Sequence, residues 1–287
     1  AVSEIWHASN MAFGLCPMLT QGAVELLGAH GSADLKAVYM EKMVSGEWTG
    51  TMNLTEPQAG SDLGRVRTKA VPEDNHYRIS GTKIFITHGD HDMADNIIHM
   101  VLARTPDAPE GVRGISLFVV PKFMVNEDGI PSERNDLRCV SLEHKLGINA
   151  SPTAVMSFGD DGGAIGYLVG EENHGLAYMF TMMNNARLGV GGQGIGVAEA
   201  AYQQALAYAL ERRQGKGVAG GSGTILDHAD VRRMLLSMKA DIFAARAIAL
   251  SCAVATDMTN ATGDAGWKAR AAFLTPIAKA FGTDVGI

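Results

Sequence analysis

The sequence predicts an α+β multi-domain fold with three parts: the end of an N-terminal helical domain, an antiparallel β-barrel or sandwich, and an antiparallel C-terminal helical bundle. Three observations carry this reading. Apolar residues recur at helical spacing up to residue 47, at a period of two from 48 to 170, and at helical spacing again from 171 to 287. The middle stretch is cut by Gly, Pro, Asp and Asn at short intervals. A chain of 287 residues, 46% of them hydrophobic, has enough apolar surface for more than one buried core. The expected domains are therefore 1–47, 48–170 and 171–287.

Residues 3–30 read as largely helical with a break near Cys16 and Pro17, because proline lacks a backbone donor and disfavours helix in the residue before it. A second helix follows. Ser32 suits its N-cap, Asp34 falls in its first turn, and Leu35, Val38, Tyr39 and Met43 share a face up to Gly46. Short apolar or alternating runs predict strands at 48–54, 65–71, 76–86, 97–104, 115–121, 137–143, 153–158 and 165–169, with PDAPEG at 106–111 as a surface loop. Helices are then expected over 174–213, 226–258 and 266–281. The first would approach ~60 Å at ~1.5 Å per residue, and helices of such length bury one another in a bundle. GKGVAGGSG at 215–223 reads as a flexible connection.

Charge and cysteine usage narrow the function classes. A formal charge of −7 argues against indiscriminate nucleic-acid binding, and the pairs Arg212-Arg213 and Arg232-Arg233 read as solvated faces. No apolar run approaches the ~20 residues that span a bilayer, and the start carries no signal-like segment. The expectation is a cytoplasmic protein with no membrane partner. Cys16, Cys139 and Cys252 are far apart, odd in number and outside any C-x-x-C pattern, which suggests neither a disulfide framework nor a zinc site. The nine histidines show no H-E-x-x-H pattern, and His88 and His228 read as surface or capping residues, so no metal is expected. The chain begins at Ala1 without Met and stops at Ile287 soon after an apolar helical pattern, from which truncation at both ends is expected.

The stretch TMNLTEPQAGSD, 51–62, begins as a strand, breaks at Pro57 and passes through Gly60 and Ser61. From its residues alone it is either an anion cradle, built from free N–H groups and hydroxyls, or an ordinary polar turn. GVGGQG at 189–194 has the letters of a dinucleotide fingerprint but is flanked by helix on both sides. Gly189, Gly191, Gly192, Gly194 and Gly196 are better read as sites of close helix packing. Arg187 is either a charge on a solvated face or a functional residue. Met179, Met182 and Met183 either fill the core or line an acyl pocket.

Taken with KIFITHG at 83–89, the 51–62 stretch resembles the paired flavin-binding signatures of the acyl-CoA dehydrogenase family, and ARLGVGGQGIG at 186–196 and LTPIAKAFGTD at 274–284 are further points of similarity. The similarity runs over essentially the whole chain. It implies FAD as cofactor, an acyl-CoA thioester as substrate, an electron-transfer flavoprotein or similar acceptor as partner, and a homodimer or homotetramer. Within the family, HADVRRML at 228–235 and the 274–284 stretch are most similar to the branch containing the 3-methylmercaptopropionyl-CoA dehydrogenases.

The resemblance also implies residue roles. Met52, Leu54, Thr55, Gly60, Ser61, Phe85, Ile86 and Thr87 would bind the flavin, with Thr55 and the Leu54 backbone at the ring, Ser61 at the pyrophosphate, and Phe85 where tryptophan is commoner. Arg212 would reach the FAD of a neighbouring subunit, although RRQG at 212–215 departs from the family's usual run. Ser61, Asn184 and Arg187 would contact substrate. The family removes a proton beside the thioester while a hydride leaves for flavin N5, giving an enoyl-CoA, and this requires a carboxylate base. Most relatives supply a glutamate that would fall downstream of Ile287. A minority supply it immediately before the helix arginine, where this chain has Ala186, so no catalytic base is expected within 1–287. Two rival readings are a DNA-alkylation-response flavoprotein of the same fold and a catalytically silent scaffold.

Overall fold

The computed structural model describes residues 2–217 and 221–287. Part of the glycine-rich connection expected to be flexible, Val218 to Gly220, lies outside the described residues. The chain opens with α1 (Val2–Ser9), turns at Asn10, and continues as α2 (Met11–His30) and α3 (Ala33–Ser45). The helix break thus falls at Asn10, and Pro17 lies inside α2. An interior proline costs ~3 kcal/mol. Full burial of Leu26 and Leu27 on the same helix offsets it by about 3 to 6 kcal/mol. α3 forms as its sequence dictates: the Ser32 hydroxyl accepts from Leu35 N–H, and Gly46 closes the helix at φ +85°.

Ten strands follow: β1 (Trp48–Asn53), β2 (Lys69–Glu73), β3 (His76–Thr87), β4 (Asn96–Ala103), β5 (Ser116–Pro121), β6 (Phe123–Val125), β7 (Pro131–Arg134), β8 (Leu137–Leu142), β9 (Thr153–Phe158) and β10 (Ala164–Leu168). The main sheet has the order β1-β4-β5-β10-β3-β9-β8, with β2 added to β3. All of its pairs are antiparallel except one. β1 runs parallel to β4 in the register Trp48↔Asn96 to Asn53↔Val101, a correction to the all-antiparallel expectation. A parallel neighbour needs a long crossover, and the chain makes one through β2 and β3. Every residue of β4 and β5 is buried, and Val101, Phe118 and Val120 of these strands pack in one core with Ile79, Met156 and Phe158. The small hairpin β6–β7 was not anticipated.

The remainder is helical: α4 (Gly175–Glu211), α5 (Ala229–Thr262) and α6 (Ala265–Val285). Gly263 turns α5 into α6 at φ +67°, and the Asp264 carboxylate caps α6 through Trp267 N–H. The glycines of α4 allow the helix contact that their spacing predicted. A Cβ on Gly194 would stand 2.0 Å from the Gly282 carbonyl oxygen, and one on Gly191 would stand 2.7 Å from that of Ala278. Higher numbers on α4 meet higher numbers on α6, so these two helices run the same way and α5 returns between their ends. Gly192 corrects the reading: it was expected at a close helix contact, but it lies on another side of α4 and a Cβ there would meet nothing within 4 Å.

The chain divides into two compact units, one of Ala12–Asn185 and one joining the residues up to Met11 with Ala186–Ile287. In the second unit α1 is tied to the bundle by Arg246, which bridges Glu4 at 2.6 Å and Glu199 at 2.9 Å. Contrary to the expectation of no bilayer-length apolar run, α2 and α5 are long and apolar enough by length and composition to cross a membrane. Both nevertheless pack against protein, α2 through Gly22 onto Met182 and α5 along α6.

Candidate functional site

The two signature segments meet where β1 ends. The Ile84 N–H donates to the Thr55 carbonyl at 2.9 Å. The Lys83 ammonium donates to the Leu54 carbonyl at 3.1 Å and to Glu56 Oε1 at 2.8 Å. β3 can make these bonds because its pairing with β9 slips. Lys83 opposes Met156 and Ile86 opposes Ala154, leaving Ile84 and Phe85 opposite Val155 alone. This two-against-one bulge bends the strand and turns its side chains out of the ladder. Phe85 has φ +61° and is 58% exposed, an unusual position for a large apolar side chain, while Ile86 beside it is buried.

Beneath the bulge lies a buried charged anchor. Glu56 accepts from Arg67 N–H at 2.7 Å, Thr68 N–H at 3.1 Å and the Thr68 hydroxyl at 2.6 Å, in addition to Lys83. Burial would raise the Glu56 carboxyl, but the Lys83 charge and these donors together lower it to about 2. Burial also pulls Lys83 down, only partly opposed by Glu56. Neither Glu56 nor Lys83 stands out in the sequence as one half of a buried pair. The signal is indirect: a lysine at an inward position of an alternating strand needs a carboxylate.

The loop beyond Glu56 is fixed at its far side. Asp62 caps a short 3-10 turn by accepting from Gly64 N–H at 3.1 Å. Arg104, which sequence reasoning did not single out, donates to four carbonyls, those of Gly64, Val66, Pro109 and Gly111, at 2.6 to 3.0 Å. It thereby ties the signature loop to the PDAPEG loop. Between these anchors Gly60 and Ser61 are exposed, and a Cβ on Gly60 would meet nothing within 4 Å.

These residues fit a flavin. Among the described residues, the N–H groups of Gly60 and Ser61 and the hydroxyls of Thr55, Ser61 and Thr87 have no protein acceptor. Donors left open beside a glycine suit an anionic pyrophosphate, and an exposed aromatic face suits a stacked ring. Met52 stands half-buried on β1, paired with Met100. Asn184 is exposed on α4 in the same unit, whereas Arg187 and Arg212 belong to the other unit. Arg212 donates to Gln214 at 2.9 Å. Met179 and Met182 are fully buried and fill the core. His88 is not a surface residue: it is 4% exposed, because its backbone is pinned to Pro152 at 2.8 Å and turned inward. Of the two arginine pairs, Arg232 is held by Asp227 and Arg233 by Asp230.

Comparison with known proteins decides the family. The acyl-CoA dehydrogenase middle domain matches residues 51–160, and the acyl-CoA dehydrogenase C-terminal domain matches 173–286. The chain belongs to the acyl-CoA dehydrogenase family. This is a family of FAD-dependent oxidoreductases. Among its members, a 3-methylmercaptopropionyl-CoA dehydrogenase of Ruegeria pomeroyi is 55% identical over 99% of this chain and 49% of its own length. A butyryl-CoA dehydrogenase of Syntrophomonas wolfei is 42% identical over 91% of this chain and 46% of its own length. The solved butyryl-CoA dehydrogenase of Megasphaera elsdenii superposes with a TM-score of 0.78 at 26% identity, covering 99% of this chain and 67% of that one. The chain spans about half the length of the curated relatives it matches. The nucleic-acid alternative is not favoured by these relatives.

Proposed function

We propose that this chain is the flavin-presenting part of an FAD-dependent acyl-CoA dehydrogenase that converts an acyl-CoA thioester to its enoyl-CoA. The bulge that joins the two signatures, with Phe85 turned outward and the Thr55, Ser61 and Thr87 hydroxyls uncommitted, is the observation that carries the reading. Bound FAD would supply the hydride acceptor. Leu54, Thr55, Phe85, Ile86 and Thr87 would hold its ring side, Gly60 and Ser61 its pyrophosphate, and Met52 would back them from β1. Ser61, Asn184 and Arg187 would contact the substrate, and Arg212 a neighbouring subunit's cofactor. The substrate class is a short acyl thioester, supported by the short acyl groups named for the Ruegeria and Syntrophomonas relatives.

Position 186 carries only a methyl group, so the proposed base is a glutamate supplied outside residues 1–287. A positioned base commonly contributes ~10² to 10⁴-fold. Polypeptide 1–287 reconstituted with FAD is therefore expected to leave the flavin oxidised when mixed anaerobically with short acyl-CoA thioesters. The same protein extended to family length should bleach rapidly. Rapid bleaching by 1–287 alone would overturn the placement of the base. No bleaching by the extended protein with any thioester would overturn the activity.

An electron-transfer flavoprotein or similar acceptor, a homodimeric or homotetrameric state, and a cytoplasmic location complete the proposal. Free Cys16, Cys139 and Cys252 support the reducing compartment. Leu236, Phe243 and Leu250 support self-association, since they recur every seventh residue along α5 and are 69%, 72% and 54% exposed.

A further inference from the structure

Cys16 of α2 and the pair His88 and His91, which follows directly on β3, come together inside the Ala12–Asn185 unit with one donor atom of each within 4.8 Å of the others. We infer that this cluster is a binding site for a borderline transition-metal ion of the zinc class, held by the Cys16 thiolate and two imidazoles. No spacing motif announces it, because the ligands lie on two segments far apart in the chain.

Several features mark the cluster as more than a chance meeting. His88 is 4% exposed, yet neither of its ring nitrogens meets a described group at hydrogen-bond geometry. The Ala12 carbonyl raises its proton affinity somewhat, less than burial lowers it. The Ala12 carbonyl can face only one of the two nitrogens, so at least one is left without a partner, which is costly in a buried imidazole unless something fills the gap. Its backbone is also held in an unfavoured conformation at φ +51°, with its N–H on the Pro152 carbonyl at 2.8 Å. The turn that follows tolerates only glycine closely packed: a Cβ on Gly89 would stand 2.9 Å from Ala154 Cβ and 3.0 Å from Met156 Sδ.

His91 completes the set. Its Nε2 meets the Thr49 hydroxyl at 3.2 Å, and its Nδ1 accepts from Met93 N–H at 3.2 Å. Both contacts are at the long end of the hydrogen-bond range, so one can be exchanged for a metal–nitrogen bond while the other orients the ring. Its ring stands edge-on to that of His88 at 5.7 Å between centroids. One sulfur and two imidazole nitrogens are a donor set that favours zinc or copper over calcium or magnesium, and three protein ligands leave a fourth position for water. On binding, the thiol proton is released to solvent. The ion would tie α2 to the end of β3, next to Thr87.

The test is to strip the purified chain with a chelator, dialyse it against Zn²⁺ or Co²⁺, and measure bound metal and the near-ultraviolet spectrum. The expected result is one equivalent of metal, and with Co²⁺ a thiolate charge-transfer band. That band should vanish in Cys16→Ser and persist in Cys139→Ser. Affinity should fall at least ~10-fold in His91→Ala, the loss already seen for groups one step removed from a metal. Circular dichroism checks that each variant folds. If Cys16→Ser does not fold, His91→Ala against Cys139→Ser decides alone. Substoichiometric metal, a band that survives Cys16→Ser, or unchanged affinity in His91→Ala would overturn the assignment.

Discussion

At Lys83 and Glu56 two charges lie 2.8 Å apart with almost no exposed surface, so each depends on the other. Replacing one partner of a buried pair strands its charge. Glu56→Gln is expected to destabilise the protein by about 3 to 5 kcal/mol, and Glu56→Gln with Lys83→Met to recover much of the loss, as urea unfolding would measure. The pH dependence follows from the depressed carboxyl, about 2 in the folded chain against 4.5 ordinarily. A depressed carboxylate contributes stability that is present above its unfolded pKa and lost as pH falls toward the folded value. The wild type should therefore lose Tm from about pH 4.5 downward, and Glu56→Gln should show a shallower acid slope. Lys83 works in the opposite sense: burial favours its neutral amine, so it is the member of the pair held at a cost. Ser61 is exposed and its hydroxyl makes no hydrogen bond to a described residue, so its removal tests binding with little effect on the fold. Ser61→Ala should weaken FAD binding by about 1 to 3 kcal/mol, the worth of one charge-assisted hydrogen bond, and unchanged affinity in a flavin titration would remove Ser61 from the pyrophosphate site.

Two glycines of α4 make opposite predictions at the scale of the helix. Alanine gains ~1 kcal/mol over glycine in a helix interior, so Gly192→Ala, which meets nothing within 4 Å, should stabilise the protein by up to that amount. At Gly194 the new methyl would lie 2.0 Å from a backbone oxygen of α6, which cannot move aside alone. Gly194→Ala should cost a net ~1 to 3 kcal/mol, and thermal melts of the two variants side by side would check the sign of each. Such helix contacts were readable from glycine spacing, and the strands from alternation between turn residues. The β6–β7 hairpin was not, because its strands are only three and four residues long and β7 is almost wholly exposed. The helix runs through Pro17 because the burial that α2 gains outweighs the local cost of the proline, and that burial depends on partners distant in sequence. In the cradle, the residue types of both signatures were legible. The bulge that exposes Phe85 was not, since it arises from a register slip against β9. The parallel course of β1 is likewise a property of pairing between distant segments.

For the molecule as a whole, the heptad stripe of exposed apolar residues on α5 leads to the expectation of a dimer or tetramer. Light scattering on the FAD-loaded protein should show at least a dimer, and Phe243→Glu, at a position 72% exposed, should shift it toward monomer without unfolding it. A strict monomer in the unsubstituted protein would count against self-association. The pairings described above also differ in how far apart in sequence their partners lie. α5 and α6 are sequence neighbours joined by one tight turn, so their pairing closes only a short loop. β1 has no partner until Asn96 to Val101 of β4 has been made and brought alongside it. The strand whose end carries Leu54 and Thr55 is therefore expected to pair late in folding, which pulsed hydrogen exchange would check. Until it docks, Lys83 has no carboxylate and Ile84 no carbonyl to meet. A chain interrupted during synthesis before residue 96 would contain the complete letters of both signatures and still lack the strand that seats the first.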